Sequence, residues 1–157
     1  MKVVQVTSSV KGGAGIAAFR LHKALRARGV ACAFVSRDYT IDFEGTTHKD
    51  TFFTYTKPSG AARLRYQLQS NFYPTPRQKY QKKLQKIEPN LHYEVCSLSF
   101  SAYNLEAHPL VAQADIVNFH WMSSVLNYTT FFDGFKKPLV WTLHDMNPFQ
   151  GFIIQAL

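Results

Sequence analysis

Acidic side chains are scarce in this chain, and residues 57–86 contain none. Ten Asp and Glu stand against 18 Lys and Arg, for a net charge of +8. The acid-free stretch holds Lys57, Arg63, Arg65, Arg77, Lys79, Lys82, Lys83 and Lys86. A block of one sign points to an anionic surface, namely lipid, nucleic acid or a phosphorylated acceptor. Only two cysteines are present, Cys32 and Cys96, far apart and without metal-ligand spacing. A disulfide framework is therefore excluded, and core thiols in a reducing compartment are expected. No apolar run is long enough to span a bilayer. The first residues enter a strand pattern directly, with no secretory leader pattern. Charged residues make up 18% and hydrophobic residues 46% of 157 residues, which excludes wholesale disorder and predicts one domain with a real core. There is no internal repeat and no low-complexity segment.

What is present is most informative at the start. Residues 3–28 read VVQVTSSVKGGAGIAAFRLHKALRAR. Val3, Val4 and Val6 suit a buried parallel strand. Gly12, Gly13, Ala14 and Gly15 then open a helix-forming segment. Bare backbone N–H groups at a helix start, with the helix dipole behind them, are a place to hold a phosphate. The sequence from Gly13 fits G-x-G-x-x-A, and Asp38 lies about 20 residues on, where a ribose-binding acid is expected. Five residues, Thr7 to Lys11, separate the strand from the glycines. That longer loop suits a phosphate or sugar clamp better than the dinucleotide turn, and a purely structural helix start stays open. The Gly-Lys-Ser/Thr ending of a nucleotide-binding P-loop is missing.

The rest of the chain alternates strand and helix signals. Strands are expected at residues 2–6, 31–36, 115–119 and 138–143, with a short one at 52–55. Helices are expected at 15–28, 61–72, 77–87, 108–114 and 123–132, with Ile16, Phe19 and Leu25 among the apolar positions of the first. Residues 38–50 read as loop, and 92–104 as extended or loop. This alternation predicts an α/β fold, a Rossmann-like, doubly wound, mainly parallel sheet flanked by helices. In such sheets ligands bind beyond the carboxyl ends of the strands. The glycine loop, His120-Trp121 and His144-Asp145 all sit at such ends, and converge if their strands are neighbours. Neutral or charged imidazoles there can serve sugar hydroxyls, phosphate oxygens or proton transfer. Asp145 either orients His144 or fixes the following loop. The spacing offers no support for a metal site at His120, His144 and Asp145.

The second basic helix carries Tyr80, Leu84 and Ile87 on one face, with lysines on the others. A solvated helix docked by its apolar stripe is the plain reading, and an interfacial helix on anionic lipid the sharper one. Tyr66, Phe72, Tyr73 and Tyr80 interleave the basic residues, yet no nucleic-acid module is visible, and no nucleic-acid partner is expected.

Taken together, these residues resemble the N-terminal domain of family 4-like, retaining GT-B glycosyltransferases, above all bacterial enzymes of capsular and exopolysaccharide synthesis. The resemblance rests on Ser8-Ser9 with Gly12 to Gly15, then Phe72-Tyr73-Pro74-Thr75-Pro76, and His108-Pro109-Leu110. It continues through the Ala-Asp-Ile-Val-Asn-Phe-His-Trp motif ending at His120-Trp121, and the Trp-Thr-Leu-His-Asp-Met-Asn-Pro-Phe motif containing His144-Asp145. It covers residues 1–151, which it implies are the acceptor-side domain. A UDP- or GDP-hexose donor would be held mostly by a C-terminal domain. The resemblance implies that Gly12, Gly13, Ala14 and Gly15 approach the donor diphosphate. It also implies that His120, His144 and Asp145 line the reaction centre, and that no metal or other cofactor is needed. The acceptor would be a growing surface glycan or lipid-linked saccharide at the cytoplasmic face of the membrane. Arg63, Arg65, Lys79, Lys82, Lys83 and Lys86 would then form an acceptor- or membrane-facing surface, peripheral to the membrane.

Residues 152–157 depart from that family pattern. Losing one base from a Gly-Phe-His-Tyr-Ser-Gly coding stretch gives Gly-Phe-Ile-Ile-Gln-Ala, the sequence of residues 151–156. A frameshift with an early stop is thus expected, against a chosen boundary or a natural short protein. The chain alone is expected not to transfer sugar efficiently, and either to self-associate through an open cleft face or to carry a disordered tail. The alternative function is a non-catalytic binding module for a dinucleotide or an anionic partner.

Overall fold

The structure is a computed structural model. It describes residues 1–49, 93–96, 101, 103–123, 125–144 and 153–156, and the side chains of 93–96, 129 and 153–156 are not described. The expected helices at 61–72 and 77–87 and the strand at 52–55 lie outside the described residues, as do Asp145 and all six basic residues of the proposed surface.

The described chain is an α/β structure built on a mixed, mostly parallel sheet of six strands. Strand β1 (Lys2–Val6) leads into helix α1 (Gly12–Ala27), then β2 (Ala31–Val35). Two short strands, β3 (Thr40–Ile41) and β4 (Thr47–His48), come next. Strand β5 (Tyr93–Cys96), a 3-10 turn (Leu105–Ala107), α2 (Pro109–Gln113), β6 (Ile116–Phe119), α3 (Tyr128–Gly134), β7 (Leu139–Trp141) and β8 (Ile153–Ala156) complete the order. The sheet order is β4-β3-β2-β1-β6-β7, with β2, β1, β6 and β7 parallel. Chain progression runs outward from β1 through β2, then crosses to β6 on the other side. The gap between β1 and β6 is therefore where the winding reverses, and ligands favour that crevice.

The strands alternate with period two. Val4, Val6, Ala33, Val35, Val117 and Phe119 face one way and bury completely, with Val111 of α2 and Phe131 of α3 packed against them. On the opposite side Phe34 meets Phe19 and His22 of α1 at ring-centroid distances of 5.6 and 5.7 Å. Helices thus flank both faces. Phe119, Phe131 and Trp141 form an aromatic centre under β6 and β7, with edge or tilted contacts at 5.2 and 5.8 Å.

Several expectations are corrected. Residues 38–50 are not all loop, because β3 and β4 pair antiparallel and extend the sheet beyond β2. Asp42 accepts from the N–H groups of Gly45 and Thr46 at 2.8 Å each, and Gly45 has φ +97°, so this polar stretch closes a hairpin rather than staying irregular. The helix expected at 123–132 begins only at Tyr128. Met122, Val125 and Leu126 are each buried, and the Val125 N–H donates to the Met122 carbonyl at 3.1 Å in a turn that packs them in the core ahead of the helix. The backbone carbonyl of Asn127 then accepts from Thr130 and Phe131 and starts the helix. Within residues 92–104, Tyr93–Cys96 is extended, one of the two forms expected; it pairs antiparallel with Ile153–Ala156, so those four tail residues form a strand instead of a disordered end. Among the described residues, no helix is long and apolar enough to cross a membrane.

Helix α1 begins at Gly12, three residues before the expected start, so the glycines form its first turn. Its buried stripe is Gly15, Ala18 and His22, while Ile16 is exposed. The reason is close packing. A Cβ on Gly15 would lie 2.4 Å from the Ser9 carbonyl oxygen, so the helix approaches its preceding loop as only glycine allows. Gly29, with φ +78°, ends the segment as expected. Cys32 is fully buried, and burial pushes its thiol up to about 11, which fits a core thiol and not a reactive one.

Candidate functional site

The site assembles at the carboxyl ends of β1, β6 and β7. Hydrogen bonds from the His120 N–H to the Val6 carbonyl and from the Ser8 N–H to the Trp121 carbonyl, 2.9 and 2.7 Å, tie these ends together. His120 comes directly after β6 and is 3% exposed, whereas His144, three residues beyond β7, is exposed. Their rings stack with centroids 5.2 Å apart, and His120 Nδ1 lies 2.9 Å from His144 Nε2. The expectation that these two histidines converge is thus met in space. The indole N–H of Trp141 donates to the His120 carbonyl at 3.1 Å, holding the turn after β6 against β7.

Beneath the pair lies a polar network that sequence reasoning missed. Gln5 on β1 and Asn118 on β6 are register partners and both are buried. Asn118 Nδ2 donates to Gln5 Oε1 at 2.8 Å, and His120 Nε2 stands 2.9 Å from the same oxygen. Thr142 Oγ1 donates to Asn118 Oδ1 at 3.1 Å. The signal was available, since Gln5 interrupts Val-Val-Gln-Val and Asn118 interrupts Ile-Val-Asn-Phe. A polar amide inside a buried strand needs partners, and here the partners are each other and a histidine. Burial, and then the neighbouring His144, push the His120 imidazole down to about 4, so it is neutral near pH 7.

The glycine segment adjoins this cluster through Ser8. No side chain caps the start of α1, and its first turn carries no acidic residue. Gly12, with φ +78°, and Gly13 face open space. The preceding loop is braced from β2's side. Asp38 Oδ2 accepts from the Val10 N–H at 3.0 Å and from Ser9 Oγ at 3.3 Å, and Arg37 Nε donates to the Ser8 carbonyl at 2.7 Å. Asp38, a candidate ribose-binding acid by its spacing, therefore spends one carboxylate oxygen on the loop. Ser8 Oγ is buried and has no hydrogen-bond partner among the described residues.

Among the described residues, no group of three or more His, Cys, Asp or Glu could hold a metal ion. A separate cavity of about 450 Å³ lies between the 3-10 turn and α3, lined by Leu105, Leu126, Thr130 and Phe131 among others. It includes none of the histidine network. Comparison with protein-family models, curated proteins and solved structures finds no match to this chain.

Proposed function

We propose that the chain is the acceptor-side domain of a glycosyltransferase that moves a hexose from a nucleotide-sugar to a surface-polysaccharide or lipid-linked acceptor. In this reading the sheet is the Rossmann-like N-terminal half of a GT-B enzyme, working at the inner face of the cytoplasmic membrane. The observation that carries the reading is the contact between His120 and His144 at the carboxyl ends of adjacent parallel strands, beside the β1–β6 crevice. The family-like sequence motifs supply the rest. A buried, neutral imidazole backing an exposed one suits hydrogen bonding and proton transfer at an uncharged hydroxyl, as a sugar acceptor would present. The uncapped start of α1 offers N–H groups to a diphosphate, which needs no metal. The donor would be held mainly by a second α/β domain.

The test is a binding series by heteronuclear NMR with UDP-hexose, GDP-hexose, a lipid-linked saccharide and NADH. The saccharide is expected to shift His144 and the Gly12–Gly13 amides. Binding of NADH, with no response to the saccharide or to nucleotide-sugars, would replace this reading with a dinucleotide module. Binding to anionic vesicles that weakens with salt would support the peripheral-membrane part alone.

A further inference from the structure

We infer that Gln5 is a positioning residue: it holds His120 in the tautomer protonated at Nε2, so that the exposed His144 keeps a bare lone pair on its Nδ1. The inference deepens the proposed site, but its evidence is the direction of the hydrogen bonds.

Gln5 has one acceptor atom, Oε1, and it already receives Asn118 Nδ2. An oxygen cannot donate, so the His120 nitrogen 2.9 Å away must carry the proton for a bond to exist. The Asn118 Nδ2 to His120 Nε2 distance, 3.3 Å, is correspondingly the longest of this triangle, as two donors require. With its proton on Nε2, neutral His120 has only an acceptor at Nδ1. His144 Nε2 must therefore donate across the 2.9 Å contact. A neutral His144 that donates from Nε2 keeps Nδ1 as its lone pair, and His144 is the exposed member.

Each amide in the network is itself oriented. Thr142 Oγ1 donates to Asn118 Oδ1, which turns Nδ2 toward Gln5. Gln5 Nε2 lies 3.9 Å from the buried Cys32 sulfur, a weak acceptor, which leaves Oε1 facing the histidine. Every donor from His144 inward thus points into the sheet. A second proton on His144 leaves this chain intact, because Nε2 still donates. A second proton on His120 would set N–H against N–H. Proton traffic is thereby confined to one atom, His144 Nδ1, and a hydroxyl that donates to it is the ligand chemistry it fits.

Removing the acceptor should reverse the chain. In Gln5→Met, Asn118 Nδ2 can donate only to a bare His120 Nε2. His120 then moves its proton to Nδ1 and donates to His144, whose Nδ1 becomes N–H. In Gln5→Glu the acceptor remains, and the wild-type tautomer should persist. The measurement is heteronuclear NMR of the imidazole nitrogens in the full chain, without substrate, at a pH where both rings are neutral. Expected are Nε2–H for His120 in the wild type and in Gln5→Glu, and full exchange to Nδ1–H in Gln5→Met. An Nδ1–H His120 in the wild type overturns the inference, as does an unchanged tautomer in a folded Gln5→Met. Should Gln5→Met fail to fold, Thr142→Val, which frees the Asn118 amide, must loosen the wild-type tautomer into a mixture; an unaltered spectrum there also overturns it. No sugar enters these measurements, so a failure of the glycosyltransferase reading in the binding series leaves this result standing, and the reverse.

Discussion

The two faces of the same four parallel strands differ in one respect: only one of them carries a buried polar network. One presents Val4, Val6, Ala33, Val35, Val117 and Phe119, all buried and apolar. The other combines buried apolar Val3, Cys32 and Phe34 with a polar network in which Gln5 and Asn118 are joined, just past the strand ends, by His120 and Thr142. Because side chains alternate along a strand, a single residue step separates a core position from a site position. Rigidity from the apolar face is therefore transmitted to the polar one without any intervening loop. Placing a network on strands, rather than on loops, is how its geometry can be held to fractions of an ångström.

That contrast can be broken from either side. The largest effect is expected from the apolar face. Phe119→Ala removes a fully buried ring that touches Phe131 and Trp141, and should cost about 3–5 kcal/mol in denaturant unfolding. Gly15→Ala should cost about 1–3 kcal/mol, because the new methyl meets rigid backbone at Ser9 and Val10 and must push α1 away. Its NMR shifts should spread through residues 8–11, whereas Gly13→Ala, in open space, should leave that loop in place.

Acid probes the polar face. His120 is pushed down to about 4 and His22 is also lowered, each mainly by burial, from an ordinary value of 6.5. Below 6.5 the unfolded chain takes up protons that the folded chain refuses, so stability is complete above that pH and is lost as pH falls toward 4. The expected loss from His120 is about 3 kcal/mol by pH 4, and a His120→Gln variant should show a shallower decline in pH-dependent unfolding. The smallest effect on stability is expected from His144→Ala, about 1 kcal/mol, because the ring is exposed but its loss takes the donor from buried His120 Nδ1. The same change should abolish the acceptor-induced NMR shifts, and their persistence would reduce His144 to a bystander.

The sequence disclosed the face that obeys composition and hid the face that depends on pairing. Val-rich runs announce buried strands, and a histidine after each of two such runs marks their carboxyl ends. Sheet order then emerges from alternation of strand and helix. The partnership of Gln5 with Asn118 is different, because it exists only once β1 and β6 are aligned in register. The start of helix α3 was hidden for a related reason. Met122, Val125 and Leu126 have the i, i+3, i+4 spacing of a helix face, so the sequence alone does not separate the buried turn they form from a first turn of helix. The exposure of Ile16 was equally invisible, since it depends on how closely Gly15 lets α1 approach its loop.

The central position of β1 also has a consequence in time. Its neighbour β2 is ready after a short helical detour, but the amide of Asn118 that completes Gln5 arrives 113 residues later. On the ribosome, β1, α1 and β2 can dock as a local unit while one edge of β1 still waits, and bringing in β6 requires closing a long loop. The histidine pair is therefore a late arrival. Its tautomeric signature reports that β1, β6 and β7 have come together, and any nascent chain released before β7 would lack the histidine pair.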